Sequence, residues 1–367
     1  MAQPTFTCFA CLSIFNSPES KKIPPSTMDS LVQFDELKII TCPECFFSFS
    51  TEKVCEKDLE YFYSESYSGI AKKVGKNVQK IDFNDNWYNP RYLSQIELIR
   101  KYCELNSEIK ILEIGSGIGD FFRTLNYLDI HTNNYAIEPG LDSHPSLKQL
   151  GVEIAKKTLN SKSLAELPKS SFDLVVMSHS LEHFNAIDIS DILMGIYNAL
   201  SNGGHFLCEV PNANLIKYPD ANDLVNPHLS FFSMESIKLF FLKAGFDIVF
   251  LNACGDNQFS KKPPSDKYLK MLKDKKYFDY KVSDNGKVKI NIGYHNWLFE
   301  KIKNDKRRVF IRKIIKKSLK ITKLLSVVQK LKAHRVYDIL RDTNFMYSED
   351  REFIRVIVKK QENIKKN

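Results

Sequence analysis

A glycine-rich loop that follows an apolar strand is the most informative site in this sequence. The loop contains Gly115, Ser116, Gly117, Gly119, Asp120 and Phe121. Glycine is needed where a turn requires a positive φ, or where a Cβ would keep a small molecule away from the backbone. Glu113 precedes the loop, and Asp120 stands where a dinucleotide-binding fingerprint has its third glycine. Because these carboxylates would repel a pyrophosphate, the loop indicates a cationic ligand.

A further acid ends the next predicted strand. Residues 134–137 lead into Glu138 and Pro139, nineteen residues beyond the last glycine of the loop. In an open α/β sheet, a carboxylate at the end of this strand accepts hydrogen bonds from ribose hydroxyls. The strand predicted over 171–178 brings more polar residues to the same edge, where such sheets bind ligands. These residues are Ser178, His179, Glu182 and His183.

In their order and spacing, these motifs resemble a class I S-adenosylmethionine (SAM)-dependent methyltransferase. The matching features are Glu-x-Gly-x-Gly-x-Gly from Glu113, the later acid Glu138, Leu181-Glu182-His183 and Asn202-Gly203-Gly204. The resemblance covers roughly residues 90–255 and the strand 352–360. It implies an α/β Rossmann-like sheet that is mostly parallel, with an antiparallel last strand.

The resemblance also implies which residues contact SAM. The glycine loop lines the methionine part, Glu138 holds the ribose, Leu164 and Ala165 lie near the adenine, and the end of the strand 171–178 borders the sulfonium. The full predicted set is Glu113, Gly115, Ser116, Gly117, Gly119, Asp120, Phe121, Glu138, Pro139, Leu164, Ala165, Ser178, His179 and Leu181.

Length and composition are those of an ordinary water-soluble protein. Of the 367 residues, 43% are hydrophobic and 26% are charged, which is enough apolar material for a buried core. No uncharged apolar run approaches the roughly 20 residues that span a bilayer, and no basic residue precedes an apolar N-terminal stretch as in a signal peptide. We therefore expect a cytoplasmic protein.

Four cysteines near the N-terminus have the spacing of a metal site. They form two Cys-x-x-Cys pairs, Cys8 with Cys11 and Cys42 with Cys45. Two such pairs can close one tetrahedral Zn²⁺ site with no position left for water, which makes the zinc structural. The alternative is that they are unliganded core cysteines. Four more cysteines have no such partners, and we expect them to be buried small hydrophobes: Cys55, Cys103, Cys208 and Cys254.

A cysteine module ahead of this core resembles the sugar C-methyltransferases of antibiotic and surface-polysaccharide pathways. Those enzymes have a Tyr-x-Glu-His stretch where this chain has residues 223–231, and only His228 remains. Because no Tyr or Glu is left to stabilise an enolate, an O- or N-methyl acceptor is favoured. His228, with an ordinary pKa of about 6.5, is the first candidate for the base, and His183 is the second. Asn212, after the fifth strand of the core, is a predicted substrate contact.

An aromatic segment separates the cysteine module from the core. Residues 61–67 contain three tyrosines, and the segment is similar to the tyrosine-rich lid of related methyltransferases. Tyr67 is therefore a predicted substrate-binding residue, because an aromatic ring with one polar end suits a partly wet cleft. Simple packing of these rings is the alternative.

The C-terminal third contains a strongly basic segment. Residues 301–335 include 14 Lys or Arg and one acid, a local charge of +13 in a chain whose total is +9. Apolar residues recur there at helical spacing, which predicts an amphipathic helix or helix pair. It could pack on the core or on a second subunit, dock on an anionic membrane, or bind nucleic acid. Nucleic acid is the least favoured, because aromatic residues for base stacking are not interleaved among its basic residues.

The predicted organisation is a zinc module at 1–58, a methyltransferase core at 59–255 with 350–367, and a basic helical insertion at 256–349. The expected activity is methylation of a sugar or glycan precursor, small or lipid-linked, in surface polysaccharide biosynthesis. A peripheral position at the inner membrane face fits a lipid-linked acceptor. The alternative is an RNA-modifying enzyme, but Ser178-His179-Ser180-Leu181 replaces the Asn-Pro-Pro-Tyr type of tetrad found in base-amine methyltransferases. The sequence leaves the oligomeric state open.

Overall fold

The structure, a computed structural model, describes most of the predicted core and cysteine module. The described residues are 4–16, 21–23, 37–66, 90–213, 228–255, 280–282, 288–290 and 353–361. Tyr67, residues 223–227 and the basic segment 301–335 lie outside these ranges. The strands are β1 (Thr5–Thr7), β2 (Ile14–Asn16), β3 (Lys21–Ile23), β4 (Leu37–Thr41), β5 (Ser48–Ser50), β6 (Lys110–Ile114), β7 (Asn133–Ile137), β8 (Glu153–Lys156), β9 (Phe172–Ser178), β10 (Leu200–Pro211), β11 (Ser230–Phe231), β12 (Phe246–Cys254), β13 (Tyr280–Val282), β14 (Val288–Ile290) and β15 (Phe353–Lys360).

Seven helices accompany these strands in the described ranges. They are α1 (Glu56–Tyr61), α2 (Pro90–Ile99), α3 (Asp120–Tyr127), α4 (His144–Gln149), α5 (Ser161–Ala165), α6 (Ile189–Ala199) and α7 (Met234–Lys243). α5 and α7 each begin with a capping box, in which a polar side chain and the residue three positions later bond each other's backbone N–H. No helix of the described residues is both long and apolar enough to pass through a bilayer.

A seven-stranded sheet forms the centre of the molecule. Its order is β12-β15-β10-β9-β6-β7-β8. The strands from β10 to β8 are parallel, whereas β15 is antiparallel to both of its neighbours. The predicted Rossmann-like sheet with an antiparallel last strand is therefore confirmed.

Apolar helices cover both faces of this sheet. Ile111 belongs to the cluster that includes α2 and α3, whereas its strand neighbour Leu112 belongs to the cluster that includes α6 and α7. Successive residues of a strand point to opposite faces, so both faces of β6 are buried. This explains why the central strands are apolar runs rather than alternating patterns.

The cysteine module is attached to the core through a shared sheet and an aromatic contact. β11 pairs with β5 in a four-stranded sheet of order β11-β5-β4-β3. The ring of Phe47 lies 5.4 Å from that of Phe232 and 5.1 Å from that of Phe240 in α7. The module therefore packs directly against the helical layer beside the sheet.

Of the four cysteines outside the two Cys-x-x-Cys pairs, two are buried as predicted and two are not. Cys208 in β10 and Cys254 in β12 are buried. Cys55 is exposed and Cys103 is half-buried, so the prediction of burial was wrong for these two. Both lie at helix boundaries outside the sheet, Cys55 at the end of the loop before α1 and Cys103 in the turn after α2, where Cys103 packs only on the edge of the core.

Candidate active site

The glycine loop leaves open space beside its backbone. Gly115 and Gly117 have φ values of +72° and +53°, in the left-handed region. A Cβ on Gly115 would lie 2.2 Å from Ser180 Oγ, so the loop packs tightly against the turn after β9. A Cβ on Gly117 would meet no described atom within 4 Å. The backbone at Gly117 therefore borders room for a ligand.

Glu138, at the end of β7, is bonded directly to this loop. Its Oε2 accepts a hydrogen bond from the N–H of Gly117 at 2.6 Å, and its Oε1 accepts one from Gly140 at 2.7 Å. Burial raises the pKa of Glu138, although the two N–H donors favour its charged form. Each carboxylate oxygen can accept a second hydrogen bond. Glu138 and the buried Pro139 thus border the loop as the sequence predicts, and the ribose contact stays a prediction.

Glu113 is a buried carboxylate with no hydrogen-bond partner among the described residues. Burial, and then the charges of Asp120 and Glu138, raise its pKa well above the ordinary value. The hydroxyl of Ser116 is also buried and has no hydrogen-bond partner in the described ranges. Buried polar atoms are nearly always paired in proteins, so these groups are suited to a ligand. A cation would offset the repulsion among the three carboxylates.

Three other residues predicted to contact the cofactor lie in or near the packing layers. Phe121 is fully buried in α3, and its ring centroid lies 5.9 Å from that of Tyr92. Leu164 is fully buried in α5, whereas Ala165 beside it is exposed. Their contacts with a cofactor stay predictions.

The end of β9 holds a strained histidine between two carboxylates. His179 has a φ of 54°, which is uncommon for any residue other than glycine. Its Nε2 lies 3.2 Å from an oxygen of Glu209, and its Nδ1 lies 3.4 Å from an oxygen of Glu182. Burial disfavours the charged imidazole, but the two carboxylates outweigh this and raise the pKa of His179. Strain of this kind is concentrated at functional sites, and Ser178 and the buried Leu181 flank it here.

Glu209 connects this edge to the last strand. It is fully buried at the end of β10, Arg355 Nε donates to it at 2.7 Å, and Arg91 Nε lies 3.4 Å away. Burial disfavours its charged form, but Arg355, His179 and Arg91 together lower the pKa of Glu209. The sequence analysis did not find Arg355 and Arg91. Arg355 is the one charged residue within 353–358, and that isolated charge in an apolar strand was the available signal.

Glu182, His183 and His228 form a second group, which we call the histidine cluster. One ligand atom from each of the three lies within 4.8 Å of the others, and the two imidazole centroids are 4.8 Å apart. The N–H of Leu229 donates to the carbonyl of Glu182 at 2.9 Å, which fixes His228 beside the turn that follows β9. The structure therefore brings together both histidines that the sequence proposes as bases.

Burial and neighbouring groups shift the pKa values of Glu182 and His228 in the histidine cluster. Burial, and then the neighbouring His183, lower the pKa of His228 to about 4, so the ordinary value assumed from the sequence was wrong. Burial disfavours the charge on Glu182, but His179, His183 and His228 lower its pKa to about 2. At neutral pH the cluster therefore holds a buried carboxylate beside a neutral His228.

The predicted substrate contacts are only partly described. Asn212 is fully buried and bridges to Phe232 through its backbone. Tyr67 lies outside the described residues. Tyr63, from the same aromatic segment, has its ring 5.5 Å from that of His183. An aromatic residue of this segment thus reaches the site, but at a position that the sequence analysis did not single out.

The four predicted zinc ligands converge. The Sγ atoms of Cys8 and Cys45 are 3.5 Å apart, those of Cys11 and Cys42 are 3.6 Å apart, and all four lie within 4.8 Å of one another. Tetrahedral Zn²⁺ with bonds of about 2.3 Å places its sulfurs roughly 3.8 Å apart. The cluster could therefore hold one zinc ion with small adjustments.

A comparison with known families finds one match, which covers the central part of the chain. Residues 87–251, slightly less than half of the chain, match the family model described as a methyltransferase domain. This segment of the chain is similar to a methyltransferase domain. The matched residues include β6 to β10, the glycine loop and Glu138.

Solved structures of methyltransferases are similar to the chain at low identity. A SAM-dependent methyltransferase from Archaeoglobus fulgidus is 17% identical, with 74% of this chain and 94% of that chain covered and a TM-score of 0.40. Phosphoethanolamine N-methyltransferase 2 of Haemonchus contortus, solved with SAM, is 15% identical, with 86% and 62% covered and a TM-score of 0.43. Likeness at this level supports no statement about substrate. No curated protein matches the sequence.

Proposed function

We propose that this protein is a SAM-dependent methyltransferase that acts on a hydroxyl or amine of a sugar or glycan precursor in surface polysaccharide biosynthesis. Methyl transfer is supported by the open space at Gly117, which has the buried acids Glu113 and Glu138 nearby. The histidine cluster, which follows β9, supplies the candidate bases. The proposal of a sugar substrate is based on the cysteine module ahead of the core, because sugar methyltransferases begin with a similar module. An Asn-Pro-Pro-Tyr type of tetrad does not follow β9, which disfavours a nucleobase amine.

In this proposal the buried acids recognise the two ends of SAM. The carboxylate of Glu113, which has no hydrogen-bond partner in the described part of the chain, pairs with the α-ammonium group, and Glu138 accepts hydrogen bonds from the ribose hydroxyls. Ser178, His179 and Leu181 border the sulfonium. Because the sulfonium already activates the methyl group, transfer is an in-line displacement in which alignment contributes most of the acceleration.

The acceptor lies on the side of the histidine cluster. His228, with His183 as the second candidate, assists the loss of the acceptor's proton as the oxygen attacks the methyl carbon. Asn212 and Tyr67 are the proposed acceptor contacts. The buried carboxylate of Glu182 stabilises positive charge that develops on either imidazole.

Outside the catalytic centre we propose one structural zinc ion and one membrane contact. Zn²⁺ bound by Cys8, Cys11, Cys42 and Cys45 would hold the two cysteine turns together beside α7. The basic segment 301–335 would attract the protein to anionic lipid, where lipid-linked acceptors are found. The second candidate function is RNA modification, which the same basic charge favours.

The decisive experiment offers isotopically labelled SAM to purified protein with a panel of nucleotide sugars or with total RNA. Label in a sugar supports the proposal, whereas label in RNA alone supports the second candidate. His228→Ala should lower turnover roughly 10²- to 10⁴-fold with unchanged SAM affinity. The matched control is His131→Ala, because this histidine is exposed and far along the chain from the site. Parallel loss of SAM binding in His228→Ala would mean that His228 is structural.

A further inference from the structure

The histidine cluster has the composition of an open metal site. Two imidazoles and one carboxylate are a ligand set of catalytic zinc sites, which keep a coordination position free for water or substrate. Here the three ligand atoms already lie within 4.8 Å of one another without an ion. Two ligands of tetrahedral zinc are about 3.3 Å apart, so the side chains would have to close by roughly 1.5 Å.

The carboxylate of Glu182 is charged and available as a metal ligand. Its side chain is only 2% exposed, and neither oxygen has a hydrogen-bond partner among the described residues. Nδ1 of His179 lies 3.4 Å and Nε2 of His183 lies 4.0 Å from Oε1 of Glu182, and these imidazoles favour its charged form. Buried polar atoms are nearly always paired at hydrogen-bond or ligand distance. An ion at this place would be bound directly by the carboxylate and the two imidazoles of the cluster.

Backbone contacts hold the ligands in one arrangement. Glu182 and His183 belong to the turn after β9, and His228 comes from a different segment. The N–H of Leu229 donates to the carbonyl of Glu182, and the hydroxyl of Ser230 donates to the carbonyl of Phe184, both at 2.9 Å. These two bonds connect the segments on either side of the ligands. Rigid support of this kind is what a metal site requires.

We propose that Glu182, His183 and His228 bind a divalent transition-metal ion whose open position takes the acceptor's oxygen. The inference rests on the proposed methyl transfer and states how the two histidines assist it, namely as ligands rather than by taking the proton themselves. It is separate from the four-cysteine cluster, which is closed by four thiolates. Histidine and carboxylate ligands favour zinc or a similar ion over calcium or magnesium.

The ion would activate the acceptor as a Lewis acid. The coordinated hydroxyl loses its proton to water at a lower pH than a free hydroxyl does. The oxygen then forms a bond to the methyl carbon, and the carbon–sulfur bond breaks with its electron pair returning to sulfur. The products are the methylated acceptor and S-adenosylhomocysteine.

Cobalt binding to the full-length protein tests the inference without an acceptor. Co²⁺ replaces zinc, and only a thiolate site produces an intense sulfur-to-cobalt charge-transfer band in the near ultraviolet. We expect two cobalt ions per chain, one with that band and one with visible bands of nitrogen and oxygen ligands. Each single change in the cluster should weaken binding of the second cobalt ion about tenfold or more and leave the thiolate band unchanged. The changes are Glu182→Gln, His183→Ala and His228→Ala. His131→Ala, on an exposed histidine, should bind two ions like the wild type.

Two outcomes would overturn the inference: a wild-type protein that binds cobalt only at thiolates, or a second ion that persists in all three cluster variants. Calorimetry with SAM on the same samples reports whether each variant is folded. It also separates this inference from the proposed function. A protein that binds metal only at the cysteine cluster but still binds SAM and transfers methyl groups would contradict the metal site in the histidine cluster. The same result would leave the methyltransferase proposal intact.

Discussion

Glu113 and Glu138 lie beside the same glycine loop, but their partners differ. Glu138 accepts two backbone hydrogen bonds, whereas Glu113 has no hydrogen-bond partner among the described residues. Both pKa values are raised by burial, more strongly for Glu113. The difference fits the two roles proposed for these residues, in which Glu138 binds the ribose hydroxyls and Glu113 pairs with the α-ammonium group of SAM.

Replacing Glu138 by alanine should weaken SAM binding with little effect on the fold. We expect the dissociation constant to rise by one to two orders of magnitude, because a charged hydrogen-bond acceptor contributes about 1.5 to 3 kcal/mol. Isothermal titration calorimetry measures this directly. Glu153→Ala in the neighbouring strand β8 is the control, since its side chain is exposed. Unchanged affinity in Glu138→Ala would remove the ribose assignment.

The affinity for SAM should depend on pH through Glu113. Its raised pKa means that the free protein holds Glu113 protonated at pH values where a free carboxylate is charged. The α-ammonium of SAM favours the charged form, so binding should weaken as the pH falls through the raised pKa. Calorimetry between about pH 5 and 7, where an α-amino group stays protonated, measures the slope. The Glu113→Gln variant should bind SAM more weakly, and its SAM affinity should change less with pH than that of the wild type. An equally steep pH dependence in the variant would contradict the pairing of Glu113 with the α-ammonium group.

At the scale of elements, the two cysteine turns are copies of each other. The N–H of Leu12 bonds the carbonyl of Cys8 at 3.0 Å, and the N–H of Phe46 bonds that of Cys42 at the same distance. Leu12 and Phe46 also share a positive φ, of 63° and 58°. Each turn thus presents its two sulfurs in the same way. The sulfurs pair between the turns, which is how two knuckles enclose one ion.

The cysteine module should contain one zinc ion that supports folding. Modification of the thiols with a mercurial reagent should release one zinc per chain from wild-type protein and none from Cys42→Ser. The variant should also unfold more easily, because structural zinc contributes on the order of 10 kcal/mol in small modules. Cys103→Ser, outside the cluster, should release zinc like the wild type. Equal zinc release from Cys42→Ser would show that the thiols do not share an ion.

At the scale of the whole molecule, the pair of Arg355 and Glu209 connects the last strand to the site. Both side chains are fully buried. Removing Arg355 takes away the largest of the charges that compensate the buried Glu209 and leaves those of His179 and Arg91, so Arg355→Met should lower the free energy of unfolding by about 3 kcal/mol. The double variant Arg355→Met with Glu209→Leu should lose less free energy of unfolding than the sum of the losses in the two single variants. Denaturant unfolding measures all three losses. Additive losses would show that the two residues stabilise the fold independently.

Membrane binding through residues 301–335 should be electrostatic and sensitive to salt. The segment carries +13, and charges near a membrane surface are screened over about 8 Å at physiological ionic strength. Full-length protein should sediment with phosphatidylglycerol vesicles at low salt and be released at high salt. Changing Lys313, Lys316, Lys317 and Lys320 to Glu should abolish sedimentation. If the variant sediments equally, the segment packs on the core or on another subunit instead.

The sequence by itself determined the features that depend on neighbours along the chain. Apolar runs, glycine spacing and acids at strand ends predicted a Rossmann-like sheet, and its mostly parallel strands with an antiparallel last strand are confirmed. The two Cys-x-x-Cys pairs likewise indicated a cluster, because that spacing alone brings two sulfurs to one side of a turn. Burial of Cys55 was predicted wrongly, because periodicity does not show where the second packing layer ends.

Only the tertiary structure decided which distant side chains meet. Arg355 reaches Glu209 across 146 positions because β15 lies beside β10, and no local pattern specifies that neighbour. His183 and His228 face each other because the backbone at Leu229 bonds the turn that follows β9. Their shared burial with Glu182, and therefore the lowered pKa of His228, follows from that contact. Long-range pairing and desolvation are properties of the packed chain, so they could not be predicted from residue types and spacing.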